Sequence, residues 1–189
     1  MNPLDDCWVP TPEDLANHMV SLLKIVGTNQ KVLEPSAGEG ALVTALYSLD
    51  VFRLRVVAVE PSPERFTKLC KVAKSCKSAT ADCQVLQADF LTINPDNFLS
   101  FDAVVLSPPF HSENDPTADI THVRHAYSFL RPGGRLVAIM HPRLLDGSSQ
   151  SQTFLLGLRR FEIEYLPRGT FPTHPHVEAV LLAHTKEAP

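Results

Sequence analysis

The sequence is short of cysteine, of long apolar runs and of positive charge, and each shortage removes a class of protein. Its four cysteines (Cys7, Cys70, Cys76, Cys83) include no close-spaced pair of the kind that grips a metal, and a chain of 189 residues folds without disulfides. Reduced thiols and no metal site are expected. No apolar stretch reaches the roughly 20 residues of a membrane span, and Met1–Pro10 has neither the basic start nor the apolar core of a signal peptide. The expectation is a cytoplasmic protein that makes no membrane contact. A formal net charge of −4 counts against tight, sequence-independent gripping of nucleic acid, which relies on many phosphate contacts by Lys and Arg. The charge is unevenly spread. From Arg124 to Arg168, seven arginines (Arg124, Arg131, Arg135, Arg143, Arg159, Arg160, Arg168) stand against three acids (Asp146, Glu162, Glu164), a local net of +4 that leaves −8 for the rest. Such a run is either a basic face or the ordinary solvation of helix ends and surfaces.

What is present suits one domain. A hydrophobic content of 44% and a charged content of 20% are ordinary for a globular protein, and the length holds a seven-stranded sheet, flanking helices and little else. The reading is a single domain over 1–189, with an N-terminal helical extension over 1–27, a core over 31–184 and no separate substrate-recognition domain. The chain is organised around Val32-Leu33-Glu34-Pro35-Ser36-Ala37-Gly38-Glu39-Gly40. The apolar start reads as a buried strand and Ala41–Leu49 as a helix. Gly38 and Gly40 let the turn between them take positive φ and bring backbone close to a ligand, and the free N–H groups of the helix start complete the seat. A diphosphate site would follow the Gly-x-Gly-x-x-Gly pattern, but here the third glycine is missing and an acid, Glu34, precedes the turn. A carboxylate at that place favours a cationic ligand.

This segment resembles the first motif of class I S-adenosylmethionine-dependent methyltransferases, whose acidic residue, small residues and Gly-x-Gly contact the amino-acid end of a cofactor carrying a sulfonium and an ammonium. The resemblance implies S-adenosylmethionine as cofactor. It also implies a doubly wound, Rossmann-like α/β fold with a seven-stranded, mostly parallel sheet and an antiparallel last strand. Cofactor contacts are then expected at Glu34, Pro35, Ser36, Ala37, Gly38 and Gly40. Upstream, the prolines of Trp8-Val9-Pro10-Thr11-Pro12 extend the chain, with Thr11 the expected cap and Pro12 the first residue of an amphipathic helix from Glu13 to Ile25. In amino-methylating members a Thr-Pro-starting helix precedes the first strand and its entry loop touches the methionine end of the cofactor. That implies contacts from Trp8 and Thr11; the other reading of Trp8 is a staple between helix and core.

Further along, Leu54–Val59 is a β-branched run ending in Glu60-Pro61, twenty residues past Gly40. In doubly wound folds an acid at that distance, at the end of the second strand, takes the ribose hydroxyls. Glu60 is the expected ribose ligand, with Pro61 beside it, and Ser62 caps the next helix, which runs to about Lys77. Gln84–Phe90 reads as the third strand. The resemblance assigns Asp89 to the cofactor's adenine amino group and Phe90 to the side of its ring; alternatively Asp89 caps the short turn that follows.

The fourth strand, Phe101–Leu106, delivers Ser107-Pro108-Pro109-Phe110 to the carboxyl edge of the sheet, where ligands bind in such folds. Two prolines extend the chain and remove two donors, so the Pro108 carbonyl and the Ser107 side chain can both point outward as acceptors. Two acceptors hold a planar amine against a methyl donor, and Phe110 can stack on its ring. The tetrapeptide resembles the Asn/Asp/Ser-Pro-Pro-Tyr/Phe motif of enzymes that methylate adenine or cytosine amino groups in DNA, some RNA bases, and glutamine side chains. It implies a catalytic set of Ser107, Pro108, Pro109 and Phe110, with Ser107 also beside the cofactor. Adenine-directed members mostly carry Asn or Asp first, whereas Ser is more familiar in cytosine-directed ones, so the target base stays open.

His111 to Ile120 reads as a loop covering the substrate, and His122 and His125 read as surface histidines on a helix from Ile120 to Leu130. Arg131-Pro132-Gly133-Gly134 is expected to turn into a fifth strand, Arg135–Met140, followed by a helix over Gln150–Arg160 and strands at 161–166 and 177–184. The loop between those strands carries an exposed-looking Phe171 and Arg168. From Asp102 onward the chain resembles small stand-alone methyltransferases of phages, plasmids and bacteria, which pair an Asn-Pro-Pro-Phe motif with a Leu-Pro-x-Gly-x-Phe loop, here Leu166 to Phe171. The resemblance implies transfer to an exocyclic amino nitrogen, adenine in DNA first, then cytosine in DNA, RNA bases or a protein glutamine. The implied partner is nucleic acid, DNA before RNA, with help from a recognition protein. The rival is a cofactor-binding regulatory module without transferase activity.

Overall fold

The computed structural model describes residues 8–49, 51–76, 81–147, 149–158 and 160–187. Cys7 and Arg159, both singled out above, lie outside the described residues. In chain order the elements are α1 (Glu13–Leu22), β1 (Lys31–Glu34), α2 (Ala41–Tyr47), β2 (Leu54–Val59), α3 (Pro63–Cys76), β3 (Ala81–Leu86), β4 (Phe101–Leu106), α4 (Ala118–Ser128), β5 (Leu130–Met140), α5 (Ser149–Leu158), β6 (Phe161–Tyr165) and β7 (Val180–Thr185).

Strands that are apolar at nearly every position, such as Val32-Leu33 and Ala103–Leu106, are stable only where both sheet faces are covered. The sheet meets that demand. Its order is β3-β2-β1-β4-β5-β7-β6, parallel except for β7, which runs antiparallel to both neighbours. This is the doubly wound, Rossmann-like architecture the resemblance implies. Side chains alternate between two cores, as the period of two requires. Val32, Val56, Ala58, Ala103, Val105 and Ile139 face α1, α2 and α3, while Leu33, Val57, Val59, Val104, Leu106 and Met140 face α4 and α5.

The order reverses beside β1: the chain winds outward through β2 to β3, then returns to the other side of β1 at β4. At such a switch point the loops leaving the carboxyl ends of adjacent strands diverge to opposite faces and open a crevice. The glycine turn leaves β1 and the Ser-Pro-Pro-Phe segment leaves β4, so that crevice lies between them.

Boundaries differ from expectation in ways that pairing explains. β3 is paired with β2 from Leu54↔Ala81 to Val59↔Leu86 and stops where its partner stops, rather than continuing to Phe90. That frees Ala88-Asp89-Phe90 to turn. The Arg131-Pro132-Gly133-Gly134 stretch is not a separate turn before the strand: β5 already begins at Leu130, paired with Phe101, and because the next pair is Ala103↔Arg135, residues 131–134 bulge out of the β4 ladder. α1 ends at Leu22, not Ile25, and its cap is Pro12, not Thr11; no side chain makes the cap bond, and the Pro12 carbonyl accepts from Ala16 N–H at 2.8 Å. Among the described residues no helix is long and apolar enough to cross a membrane. Cys70, Cys76 and Cys83 are free thiols.

Candidate active site

β1 ends in Glu34, which is fully buried. Its Oε1 accepts from the Ser36 N–H at 3.0 Å and the Ser36 hydroxyl at 3.2 Å, whereas Oε2 has no partner among the described residues. Burial pushes this carboxyl up to about 8, against the Ser36 N–H, which pulls it down, and with the Glu60 charge, which adds to the rise. A buried acceptor without a donor is costly unless it is protonated or met by a cation. Glu34 therefore has the chemistry to receive an ammonium, although Pro35 and Ser36, not Glu34 itself, form the cavity wall in front of it.

The turn beyond laces two strand ends together. Ala37 N–H donates to the Val59 carbonyl at 2.9 Å and Gly38 N–H donates to Glu60 Oε2 at 2.9 Å. The two glycines do different work. Gly38, at φ +54°, is overlaid by Trp8: a Cβ there would lie 2.9 Å from the indole Nε1. Gly40, at φ +98°, caps α2, and its missing Cβ leaves room for Leu69 and Val72 of α3. Gly38 belongs to a cavity wall; Gly40 lines neither of the cavities described below.

Glu60 is enclosed and heavily engaged. Oε1 accepts from Ser62 N–H at 2.8 Å and from the Nε–H of Arg65 at 3.0 Å, and Oε2 from Gly38. With two lone pairs per oxygen, this leaves one acceptor direction, on Oε2. Arg65, which sequence reading missed, also places its guanidinium 5.4 Å from the Trp8 ring centre, a cation–π contact. Its only signal was a position one helical turn from the Ser62 cap.

Asp89 does cap the turn that follows: its Oδ1 accepts from Leu91 N–H at 3.0 Å. It also lines the larger cavity together with Phe90. Phe90 packs edge-on to His125 at 4.7 Å, and His122 lines the cavity, so neither histidine is the surface residue expected. His122 Nδ1 lies 2.8 Å from the Ala118 carbonyl, which can only accept, and burial lowers its proton affinity. Nδ1 therefore carries a proton and donates to that carbonyl. Phe171 is also not exposed; it is buried and lines the cavity, as do Ile139 and Val177. Phe171 closes the Leu-Pro-x-Gly-x-Phe loop, but no pattern in the sequence marked Ile139 or Val177.

Two adjoining cavities occupy the crevice. One, of about 370 Å³, takes in Glu60, Pro61, Asp89 and Phe90 on one side and Pro108, Pro109 and Phe110 on the other. The second, of about 150 Å³, is bounded by Thr11, Ala37 and Gly38. Trp8, Val9, Ser36 and Ser107 line both, so the glycine turn and the Ser-Pro-Pro-Phe segment flank one continuous cleft. Four arginines of the run are engaged by acids: Arg131, Arg135, Arg143 and Arg168 pair with Asp102, Glu162, Asp119 and Glu178 at 2.6, 3.1, 3.0 and 2.7 Å.

A switch-point cleft on a sheet of this order, floored by an acidic glycine turn, defines the class I S-adenosylmethionine-dependent methyltransferases. S-adenosylmethionine is the cofactor of that class, and the unpaired Glu34 oxygen and the Trp8-covered turn suit its cationic amino-acid end. The chain belongs to the methyltransferase small domain family, whose model matches residues 14–154. A Caenorhabditis elegans rRNA N(6)-adenosine-methyltransferase is 26% identical over 134 residues, 68% of this chain; the chain matches 61% of that relative's length. Among solved structures, a Listeria monocytogenes protein assigned as a class I S-adenosylmethionine-dependent methyltransferase superposes over 94% of this chain and 61% of its own. Its TM-score is 0.77 and its identity 16%. The methyltransferase subunit of a type I restriction-modification system from Streptococcus thermophilus covers 95% of this chain and 45% of its own, with TM-score 0.79 and 14% identity. At those identities the likeness is one of fold.

Proposed function

We propose that this protein transfers the methyl group of S-adenosylmethionine to the exocyclic amino nitrogen of adenine in a nucleic acid, with structured RNA the favoured carrier and DNA its rival. The observation that carries this reading is the sharing of Trp8, Val9, Ser36 and Ser107 by the two cavities. A ligand seated on the glycine turn reaches the Ser-Pro-Pro-Phe segment without leaving the cleft.

The smaller cavity takes the amino-acid end of the cofactor between Trp8, Thr11, Ala37 and Gly38, with Glu34 behind the wall to balance its ammonium. In the larger one the remaining acceptor of Glu60 takes a ribose hydroxyl beside Pro61, and Asp89 and Phe90 meet the adenine. The bound cofactor supplies an electrophilic methyl carbon. Ser107 and the Pro108 carbonyl accept from the two protons of the target amine, Pro109 keeps the segment extended, and Phe110 stacks on the base, aiming the nitrogen lone pair at that carbon. The nitrogen–carbon bond forms as the sulfur–carbon bond breaks, and the surplus amine proton passes to solvent. Holding reactants this way can supply about 7–11 kcal/mol of the barrier at best.

Charge and kinship favour RNA as the carrier. A net charge of −4 and arginines engaged with carboxylates give little with which to track a duplex backbone. An unstacked base presented by folded RNA, or a base flipped out of DNA, makes smaller demands. The curated relative acts on rRNA adenosine. The proposed domain is the whole chain, an extension over 1–27 and a core over 31–184, with a recognition protein supplying the contacts this surface lacks.

The test is incubation with methyl-labelled cofactor and separate pools of rRNA, duplex and single-stranded DNA, and protein, followed by nucleoside mass spectrometry. N6-methyladenosine in RNA is expected. Label in cytosine or in glutamine, or in no acceptor, would overturn the reading; label in DNA adenine alone would move it to the rival carrier.

A further inference from the structure

Three segments of the active edge meet at one fully buried carboxylate that no motif announces. Asp119 stands in the first turn of α4, and the two residues it holds, His141 and Arg143, follow β5. Its Oδ1 accepts from the Ile120 N–H at 3.0 Å and from Arg143 Nη2 at 3.0 Å, and its Oδ2 from the His141 N–H at 2.9 Å. The same Nη2 of Arg143 donates to the carbonyl oxygen of Phe110. The ring of Phe110 is met as well: His141 stands edge-on to it, 5.5 Å between centres at 84°. Both the backbone and the ring of the last Ser-Pro-Pro-Phe residue are thus fixed by residues that follow the next strand of the sheet.

Burying a carboxylate is tolerable only when its lone pairs are met, and Asp119 is met by a charge and two backbone donors. The reverse holds for the arginine. Its Nε–H has no partner among the described residues, and its side chain is 23% exposed. The guanidinium is therefore steered by its two acceptors, Asp119 and Phe110, more than by packing around it. Charge on Asp119 fixes the direction of Arg143, and Arg143 fixes the carbonyl of Phe110. The two prolines before it lock φ at 108 and 109, so few free torsions separate the held Phe110 carbonyl from the Pro108 carbonyl and the stacking ring.

We propose that Arg143, braced by Asp119, is a positioning residue for the target base: it sets the plane and depth of Phe110, and with them the distance between the acceptor nitrogen and the methyl carbon. This rests on the adenine-methylating reading of the cleft. Misplacement of a reacting group by about 1 Å can cost about 100-fold in rate, so Arg143→Ala should lose about that much turnover while cofactor affinity, read by quenching of the single tryptophan Trp8, stays within a few-fold. A strut that serves stability alone would not be restored from solution. Free guanidinium at concentrations well below those that unfold the protein should return part of the turnover to Arg143→Ala and none to the wild type. Asp119→Asn, which keeps one carbonyl acceptor but no charge, should fall between the two.

A second readout needs no substrate. The Phe110 and His111 amides should exchange hydrogen faster in Arg143→Ala, with the β4 amides unchanged. Wild-type turnover in Arg143→Ala, or a loss shared equally between turnover and cofactor binding with no guanidinium rescue, would overturn the proposal. So would unchanged exchange at Phe110. If wild-type protein methylates no nucleic acid, the function above falls instead, and the exchange result decides the strut by itself.

Discussion

The Nε–H of Arg65 donates to Oε1 of Glu60 at 3.0 Å, with both side chains almost wholly enclosed. A carboxylate proposed to read a ribose is thereby held in place before any ligand arrives, between a backbone N–H of the glycine turn and a cation from α3. Deleting that carboxylate removes three hydrogen bonds and a buried ion pair with Arg65, a strongly destabilising change. Glu60→Ala should therefore lower the melting temperature of the ligand-free protein and, separately, weaken cofactor binding by roughly 1.5–3 kcal/mol, the scale of a hydrogen bond to a charged group. Calorimetry reads both, and an unchanged dissociation constant would remove Glu60 from the cofactor site.

Glu34 should make the ligand-free protein sensitive to pH. Its carboxyl is raised from 4.5 to about 8 by burial, so the folded state holds a proton that the unfolded state releases. The stabilisation is complete below the unfolded value and is lost as pH rises through the folded one. Melting temperature should fall between those limits, and Glu34→Gln should flatten the decline. An ammonium arriving beside Glu34 favours the charged form, so cofactor affinity should climb over the same interval. A Glu34→Gln profile parallel to the wild type would contradict this.

The two turn glycines should separate on substitution. Alanine at Gly40 meets Leu69 and Val72 side chains at 3.1–3.2 Å and sits at φ +98°, so Gly40→Ala should destabilise by about 1–3 kcal/mol. Cofactor affinity, measured on the protein that remains folded, should change little. Gly38→Ala should instead displace Trp8, shifting its emission and weakening the cofactor while costing less stability. Equal effects of the two on binding would show that Gly40 acts in the site and not between helices.

Ser107 and Phe110 should affect transfer more than capture. Ser107→Ala or Phe110→Ala is expected to lower turnover about 10- to 100-fold through poorer alignment of the amine, with cofactor affinity within a few-fold. Single-turnover methylation beside fluorescence titration separates the two quantities. Parallel losses would refute the division between cofactor seat and target seat.

Much of the site could be read along the chain because its pieces are local. An apolar run, an acid, small residues and two glycines make a strand, a turn and a helix within a few residues of one another, and Glu60, Asp89 and Ser107 each follow a strand in the order that winding requires. Where local readings failed, a partner from elsewhere had decided. β3 ends at Leu86 because β2 ends at Val59. β5 begins at Leu130, before the Pro-Gly-Gly stretch, because Phe101 was there to pair with it. Phe171 looked exposed among polar loop residues, yet it is buried against the cleft.

The sequence alone determined the glycine turn, most of the strands and the order of the strand-end motifs whose resemblance implied the fold class, since hydrophobic periodicity and glycine freedom act over a few neighbouring residues. Only the tertiary structure decided that Glu60 has one free acceptor and not two, that Arg65 stands between it and Trp8, and that Asp119 and Arg143 reach back to Phe110. Each of those depends on hydrogen bonds between side chains brought together by the crossing of the sheet. A bond of that kind depends on position to within an ångström and leaves no period in the chain.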